Sequence, residues 1–291
     1  MDLFVQQLTY GILIGMLYAL TGLGITVQWR CMALLCFAYG EFCMLGAFLS
    51  TILVMDAGLP YIVAFLIAVL LVGLLGFILE RIIYRPLRDS NYLNPLAAFV
   101  GVSIILQQIS MYLWGAEGRT FPSPFGETPY IIGGVRFLPQ YIFAAAACLL
   151  LMLLLRYLIN NTKIGVAFRA ISQDPETARL LGIPLGRMHG IVFALCAALG
   201  AAAGSFYGPM SIVIFNMGLM LFIKAFICCM IGGLGNVRAT ILGAILFGVI
   251  EQMSAAFISS LYRDAISFGI LILMVMWKPD GLFGKKLVVK I

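Results

Sequence analysis

Three charged side chains stand inside long apolar runs of this chain: Glu41, Lys224 and Glu251. A charge at the centre of a membrane-spanning helix costs about 2.5–3.5 kcal/mol on insertion scales, so such residues are rare and tend to be functional. They could line a polar pathway through the bilayer, or they could form buried ion pairs that hold helices together. Lys224 stands near the end of its run, where its amine could also reach the interface.

The sequence has few residues in patterns typical of an enzyme active site. His189 is the only histidine, and it is expected at a loop–helix boundary, where an interfacial role suits it better than that of a ligand. Neither His-Glu-x-x-His nor Gly-x-Ser-x-Gly occurs. The seven cysteines mostly stand in apolar runs without the spacing of a zinc or redox motif. We therefore expect no catalytic residue, no metal site and no cofactor in this chain.

The composition indicates that membrane-spanning helices position these charges. Of the 291 residues, 63% are hydrophobic and only 10% are charged, whereas soluble domains average about 25% charged residues. The sequence predicts an all-α polytopic membrane protein with a single transmembrane domain over residues 1–291. A soluble catalytic domain of about 100 residues has no place in it. The first apolar run is too long for a cleaved signal sequence and lacks a basic segment before it.

Nine apolar runs approach the ~20 residues that a bilayer-crossing helix needs. Their continuity, without period-two alternation, favours helices over a β-barrel. Some runs are short or glycine-rich and could be broken or re-entrant, so we expect eight to ten transmembrane or re-entrant helices. The predicted spans are 5–27, 32–55, 61–79, 96–114, 141–159, 190–207, 218–234, 239–259 and 265–277.

The basic residues predict the orientation, because short cytoplasmic loops are enriched in Lys and Arg. If loop 160–189 is cytoplasmic and nine spans alternate, fourteen Lys and Arg face the cytoplasm and three face outside. This places the N-terminus outside and the C-terminus in the cytoplasm. The net charge of +6 is then a topology signal, and we expect no nucleic-acid partner.

The longest external segment, 115–139, contains four prolines, several aromatic residues and Gly133-Gly134. This pattern predicts a turn-rich loop that could include a small hairpin. The segment is either a plain connection or a docking surface for an external partner.

The longest polar stretch, 160–189, predicts two short helices. The first covers about 164–172, with Val166, Ala167 and Ala170 on one side and Lys163 and Arg169 on the other. An ordinary cytoplasmic loop is the simplest interpretation of the stretch.

The second helix has clear end signals. Asp174 is placed to cap its N-terminus, Pro175 occupies its first position, and Gly182 closes it. A helix of about two turns is not stable alone, so we expect it to rest on its own membrane domain or on a second protein. A transporter subunit driven by a separate cytoplasmic motor accounts for this helix. A self-sufficient ion-coupled transporter is the alternative; it would explain the acidic groups, but it explains the cytoplasmic helix less well.

Several motifs, distributed over essentially the whole chain, resemble one family in sequence and in order. That family is the branched-chain amino acid ABC transporter permeases, specifically their H-type subunit. The motifs are Phe37-Ala38-Tyr39-Gly40-Glu41, Glu80-Arg81 with Tyr84-Arg85-Pro86-Leu87-Arg88, Gly165-Val166-Ala167-Phe168-Arg169-Ala170 followed by Asp174 to Ile183, Lys224-Ala225-Phe226 with Gly232-Gly233-Leu234-Gly235, and Pro279-Asp280-Gly281-Leu282.

The resemblance implies a subunit of a bacterial inner-membrane importer that moves solute by alternating access. Its partners would be an M-type permease subunit, two ATPase subunits that bind ATP and magnesium, and an external solute-binding protein. The residues implied in coupling to the ATPase are Arg169, Ala170, Gln173, Asp174, Thr177, Ala178, Leu181 and Gly182. Those expected along the translocation pathway are Phe37, Tyr39, Glu41, Lys224 and Glu251.

One departure from the family concerns the substrate. The family usually has Asn and His where this chain has Cys36 and Tyr39. If these positions face the solute, specificity has moved away from aliphatic amino acids. Urea, short amides and aromatic carboxylates are then the alternatives to a branched-chain or other hydrophobic amino acid.

Overall fold

The computed structural model describes residues 2–88, 90–91, 93–121, 123–126, 128–132, 135–278 and 281–282. The helices are α1 (Asp2–Met32), α2 (Tyr39–Met55), α3 (Tyr61–Leu79), α4 (Arg85–Leu87), α5 (Leu93–Trp114), α6 (Pro139–Asn161), α7 (Lys163–Gln173), α8 (Pro175–Leu180), α9 (Leu185–Tyr207), α10 (Met217–Gly232), α11 (Val237–Phe257) and α12 (Arg263–Trp277). A π-helical turn, Glu80–Tyr84, joins α3 to α4, and 3-10 turns at Gly208–Met210 and Ser260–Tyr262 follow α9 and precede α12. The strands are β1 (Arg119–Thr120), β2 (Tyr130–Ile132), β3 (Val135–Phe137) and β4 (Ile212–Val213).

Each of the nine predicted spans coincides with an apolar helix. Seven helical stretches of the described chain are long and apolar enough to cross a membrane. The other two, α2 with 17 residues and α10 with 16, are shorter. The prediction of an all-α polytopic membrane protein is confirmed.

The predicted span 32–55 is wrong at its start. Helix α1 continues to Met32, and residues 33–38 are not helical. Ala33 has a φ of 48°, a left-handed conformation that a right-handed helix cannot continue through. Tyr39, the first residue of α2, contacts Gly24, about two turns before α1 ends. The chain therefore turns back along α1, and α2 begins inside the bundle.

Helices α1 and α9 form the centre of the bundle. In each, 72% of the most apolar stretch is buried, compared with 22% for α5 and 6% for the segment containing α12. Helix α1 packs along α11, α9 and α10, and α9 also packs along α2 and α3. Side-chain hydroxyls tie these helices together: Ser205 donates to the carbonyl oxygen of Gly46 at 3.1 Å, and Tyr61 donates to that of Ser205 at 3.0 Å.

The two longest polar loops lie at opposite ends of α6, which spans about 34 Å from the rise per residue. In segment 115–139, β2 and β3 pair antiparallel, so the hairpin prediction is confirmed, and β1 pairs with β4. Gly133 and Gly134 themselves lie outside the described residues, as do Pro279 and Asp280 of the last motif. Leu282 is described, and its N–H donates to the carbonyl oxygen of Ile231 at 2.9 Å.

Candidate functional site

Loop 160–189 is fastened to α6 by side-chain hydrogen bonds. Thr162 caps α7, its hydroxyl oxygen accepting from the Gly165 N–H at 3.1 Å. Arg169 donates through Nη1 to the carbonyl oxygens of Ile159 and Asn160 at 2.8 and 3.0 Å. The last carbonyl groups of a helix have no intrahelical partner, so this guanidinium completes the end of α6. A movement of α7 is thereby tied to α6.

The side of α7 that faces the bundle is set by its largest apolar side chains. The buried positions are Gly165, Phe168 and Ile171, whereas Val166 is 56% exposed. Phe168 and Ile171 offer more apolar surface than the valine and alanines of this helix, and their spacing of three places both on one face. Val166 does not belong to that packed face.

The predicted end signals of α8 are confirmed. The Asp174 carboxylate accepts from the N–H groups of Glu176 and Thr177 at 3.0 and 3.2 Å, and from the Thr177 hydroxyl at 2.6 Å. Gly182 has a φ of 83°, the conformation that closes a helix at a glycine. Ala178 is only 2% exposed and packs into the core. The short helix is therefore fixed at both ends and at its middle.

Most of the residues implied in coupling form the outer surface of this loop. Gln173, Asp174, Thr177, Leu181 and Gly182 are exposed, Arg169 and Ala170 are half-buried, and Ala178 is buried. Two neighbouring leucines stand out, because Leu180 is 87% exposed and Leu181 is 76% exposed. Sequence reasoning missed Leu180, although an apolar pair just before a closing glycine was visible in the sequence. Paired apolar side chains at the tip of a polar loop are typical of an interaction surface.

Glu41 is held by neutral donors. It is 1% exposed, and its Oε1 accepts from the Ser103 hydroxyl at 2.9 Å and from the Gln107 amide at 2.7 Å. Its Oε2 has no hydrogen-bond partner among the described residues. That oxygen faces Gly218 at the start of α10, where an added Cβ would lie 2.8 Å from it. One carboxylate oxygen is thus buried without a partner in the described part of the chain.

The donors to Glu41 were not among the residues singled out in the sequence. Ser103 and Gln107 both belong to α5, and their spacing of four places them on one face of that helix. A polar pair with this spacing in an apolar helix is the signal that could have identified them.

Lys224 and Glu251 form a separate cluster. The Lys224 amine lies 2.6 Å from Glu251 Oε1 and 3.3 Å from Asp264 Oδ1. The side chains of Lys224 and Glu251 are 12% and 3% exposed, whereas that of Asp264 is 51% exposed. The amine also lies 6.0 Å from the centre of the Tyr18 ring. This cluster joins α1, α10, α11 and α12, so of the two roles considered from the sequence, the buried ion pair is the one that the geometry shows.

The two remaining pathway candidates lie beside the Glu41 cluster. Phe37 is half-buried and packs against Phe222 at 5.2 Å between ring centres. Tyr39 is fully buried, and its hydroxyl lies so close to Gly24 that a Cβ there would clash with it. Cys36 is 2% exposed. The two residues that depart from the family pattern are therefore packed against the bundle in this structure.

The regions of similarity to known proteins include loop 160–189 and both the Glu41 and the Lys224 clusters. The family described as "Branched-chain amino acid transport system / permease component" matches residues 7–275. The permease protein BraD of the high-affinity branched-chain amino acid transport system of Pseudomonas aeruginosa is 32% identical, over 99% of this chain and 98% of its own length. The corresponding protein LivH of Escherichia coli is also 32% identical, with the same coverage. LivM of Escherichia coli is 28% identical over 92% of this chain and 68% of its own length.

Proposed function

Because this chain belongs to the branched-chain amino acid transport permease family, we propose that it is the H-type subunit of an ABC importer for a branched-chain or other hydrophobic amino acid or a related small solute. The similarity to the H-type relative LivH extends over nearly the full length of both chains, whereas the M-type relative LivM is matched over 68% of its length. The observation that carries the proposal is the surface at the tip of loop 160–189, capped by Asp174 and exposing Leu180 and Leu181.

The proposed assembly needs partner chains. An M-type permease subunit pairs with this chain within the membrane, two ATPase subunits bind ATP and magnesium, and an external solute-binding protein delivers the solute. The chain itself binds no nucleotide and catalyses no reaction. In this arrangement the protein lies in the bacterial inner membrane, with its N-terminus and segment 115–139 outside and with loop 160–189 and its C-terminus in the cytoplasm.

Coupling follows from how loop 160–189 is held. When the ATPase subunits close on ATP, α8 moves with the ATPase surface that contacts Leu180 and Leu181. The buried side chains of Phe168, Ile171 and Ala178 transmit that movement to the bundle, and the bonds from Arg169 transmit it to α6. The bundle then changes between inward-facing and outward-facing states, which is a rigid-body mode of alternating access.

The Glu41 cluster favours a class of solute. A carboxylate with one oxygen available can accept a hydrogen bond from an ammonium or an amide N–H group, but it repels another carboxylate. An amino acid can approach it through its ammonium group, and urea or a short amide can approach it through its N–H groups. An aromatic carboxylate lacks such a group, so we place it last among the substrate classes.

An ion-coupled secondary transporter is the alternative of another class. It would need a buried acidic group that exchanges an ion during transport. Glu251 is already paired with Lys224 at 2.6 Å, which leaves Glu41 for that role. Such a transporter would have no use for the paired leucines of the 160–189 loop, so these leucines favour the ABC importer.

Replacing the two exposed leucines tests the docking surface. Leu180→Ser with Leu181→Ser should lower ATPase stimulation by delivered solute at least tenfold, since burying one leucine contributes about 1.5–3 kcal/mol. Protein yield and thermal stability should stay within the narrow range of exposed substitutions. Leu261→Ser is the matched control, because that leucine is 89% exposed near the other end of the bundle. Normal ATPase stimulation in the double variant would show that this surface does not dock the ATPase.

Arg169→Glu is a less specific test. The Arg169 guanidinium already donates to two carbonyl oxygens at the end of α6, so its loss would disturb the fold of the loop as well as any contact with a partner. The leucines have no such internal role.

A further inference from the structure

A cavity of about 770 Å³ lies between loop 160–189 and the ends of the central helices. Its walls come from the end of α1, the turn after α3, helices α7 and α8, the start of α9 and the residues before α11. It is distinct from the Glu41 and Lys224 clusters, none of whose residues line it. The transport mechanism proposed above makes no use of it.

The charged residues that line this cavity are basic. Arg30 of α1 and Arg179 of α8 are exposed at its surface, and Arg88, which has other contacts, adds a third guanidinium. No Asp or Glu lines the cavity within the described part of the chain. Guanidinium groups are suited to the oxygens of phosphate groups, which they can bind in pairs of hydrogen bonds.

A buried histidine also stands in the wall of the cavity. His189 lines the cavity and is 8% exposed, and its ring is held edge-on to Tyr84, with 5.6 Å between ring centres. Its Nδ1 has no hydrogen-bond partner among the described residues, but this nitrogen is itself covered by protein. His189 therefore shapes the wall, and the ligand contacts are assigned to the arginines.

Much of the remaining lining is apolar, with Met32, Ile171, Leu185 and Leu234 among its residues and Trp29 beside Arg30. An amphipathic ligand fits such a wall. A zwitterionic amino acid fits it less well, because its ammonium group would meet guanidinium groups and no carboxylate. A ligand with a net negative charge and an apolar part matches both halves of the lining.

We propose that this cavity binds the phosphate group of an anionic ligand, with Arg30 and Arg179 as its contacts. In the orientation proposed above, it lies at the cytoplasmic end of the bundle, where basic pockets between helices bind lipid headgroups. The ligand would connect α8 to α1, and so stiffen the link between loop 160–189 and the centre of the bundle. This regulatory role rests on the proposed function, whereas binding itself does not.

The test measures bound ligand on the full-length chain in nanodiscs of neutral phosphatidylcholine. Phosphatidylglycerol is titrated in one arm and inorganic phosphate in the other, so that a lipid source and a soluble source are distinguished. Arg30→Gln with Arg179→Gln should weaken binding of the effective probe about tenfold, as expected when charge-assisted hydrogen bonds are lost. Arg156→Gln with Arg187→Gln is the control of equal charge, since both arginines are exposed and neither lines the cavity.

A second variant protects the test against misfolding. Arg30→Lys with Arg179→Lys keeps both charges but loses the paired hydrogen bonds of the guanidinium groups, and it should weaken binding severalfold. Equal binding by the cavity variants and the control pair would overturn the proposal, as would binding of neither probe by the wild-type chain. Because bound ligand is measured, rather than transport or ATP hydrolysis, a negative result here leaves the importer assignment untouched, and a chain without ATPase partners can still be tested.

Discussion

Glu41 and Glu251 are both buried glutamates in apolar helices, yet their surroundings differ. Glu251 is paired with the Lys224 amine at 2.6 Å, while within the described part of the chain Glu41 meets only the neutral donors Ser103 and Gln107 and keeps one oxygen without a partner. An ion pair such as Lys224–Glu251 is suited to holding helices together. A carboxylate with an unpaired oxygen, such as Glu41, is suited to accepting a hydrogen bond from a solute. The contrast shows that a buried charge indicates function only when its partners are known.

Breaking the Lys224 cluster should have the largest effect on stability. Lys224→Met leaves Glu251 as an uncompensated buried charge, which costs about 3–5 kcal/mol in buried ion pairs. We expect most of the folded protein to be lost in a thermal unfolding assay in detergent. The double variant Lys224→Met with Glu251→Gln should recover most of that stability, since no buried charge is left alone. A stable Lys224→Met protein would show that the pair is not structural.

Glu41→Gln should separate transport from stability. The amide oxygen can still accept from Ser103 and Gln107, so thermal stability should change by less than about 1 kcal/mol. Solute uptake should fall at least tenfold, because the charged acceptor is gone and charge-assisted bonds contribute about 1.5–3 kcal/mol. Uptake in proteoliposomes and unfolding in detergent measure the two effects. Unchanged uptake would show that Glu41 only packs within the bundle, and that its role does not differ from the structural role of Glu251.

Removing a donor to Glu41 should have the smallest effect. Ser103→Ala deletes one of two hydrogen bonds to Oε1 and should cost about 1 kcal/mol of stability, with a modest loss of uptake. In combination with Glu41→Gln, the effects on uptake should not add, because both changes act on one carboxylate. Additive losses in that double-mutant cycle would show that Ser103 acts elsewhere.

Local features of this fold could be read from the sequence. The apolar runs, the Asp174 cap and the Gly182 closure depend on neighbouring residues, and the structure has them where expected except at the start of the second run. The break at 33–38 escaped prediction because it contains neither glycine nor proline, and Ala33 turns left-handed instead. The partners of Glu41 also escaped, because Ser103 and Gln107 lie 62 and 66 positions away along the chain. Pairings of that range depend on how helices pack.

The most direct test of the account is uptake by purified components in proteoliposomes. This chain, an M-type permease subunit, two ATPase subunits and the solute-binding protein should together import a branched-chain amino acid or a related solute when ATP is supplied. Removal of ATP or of the ATPase subunits should abolish uptake, and a protonophore should leave it intact. Uptake by this chain alone, driven by an ion gradient and abolished by the protonophore, would contradict the account.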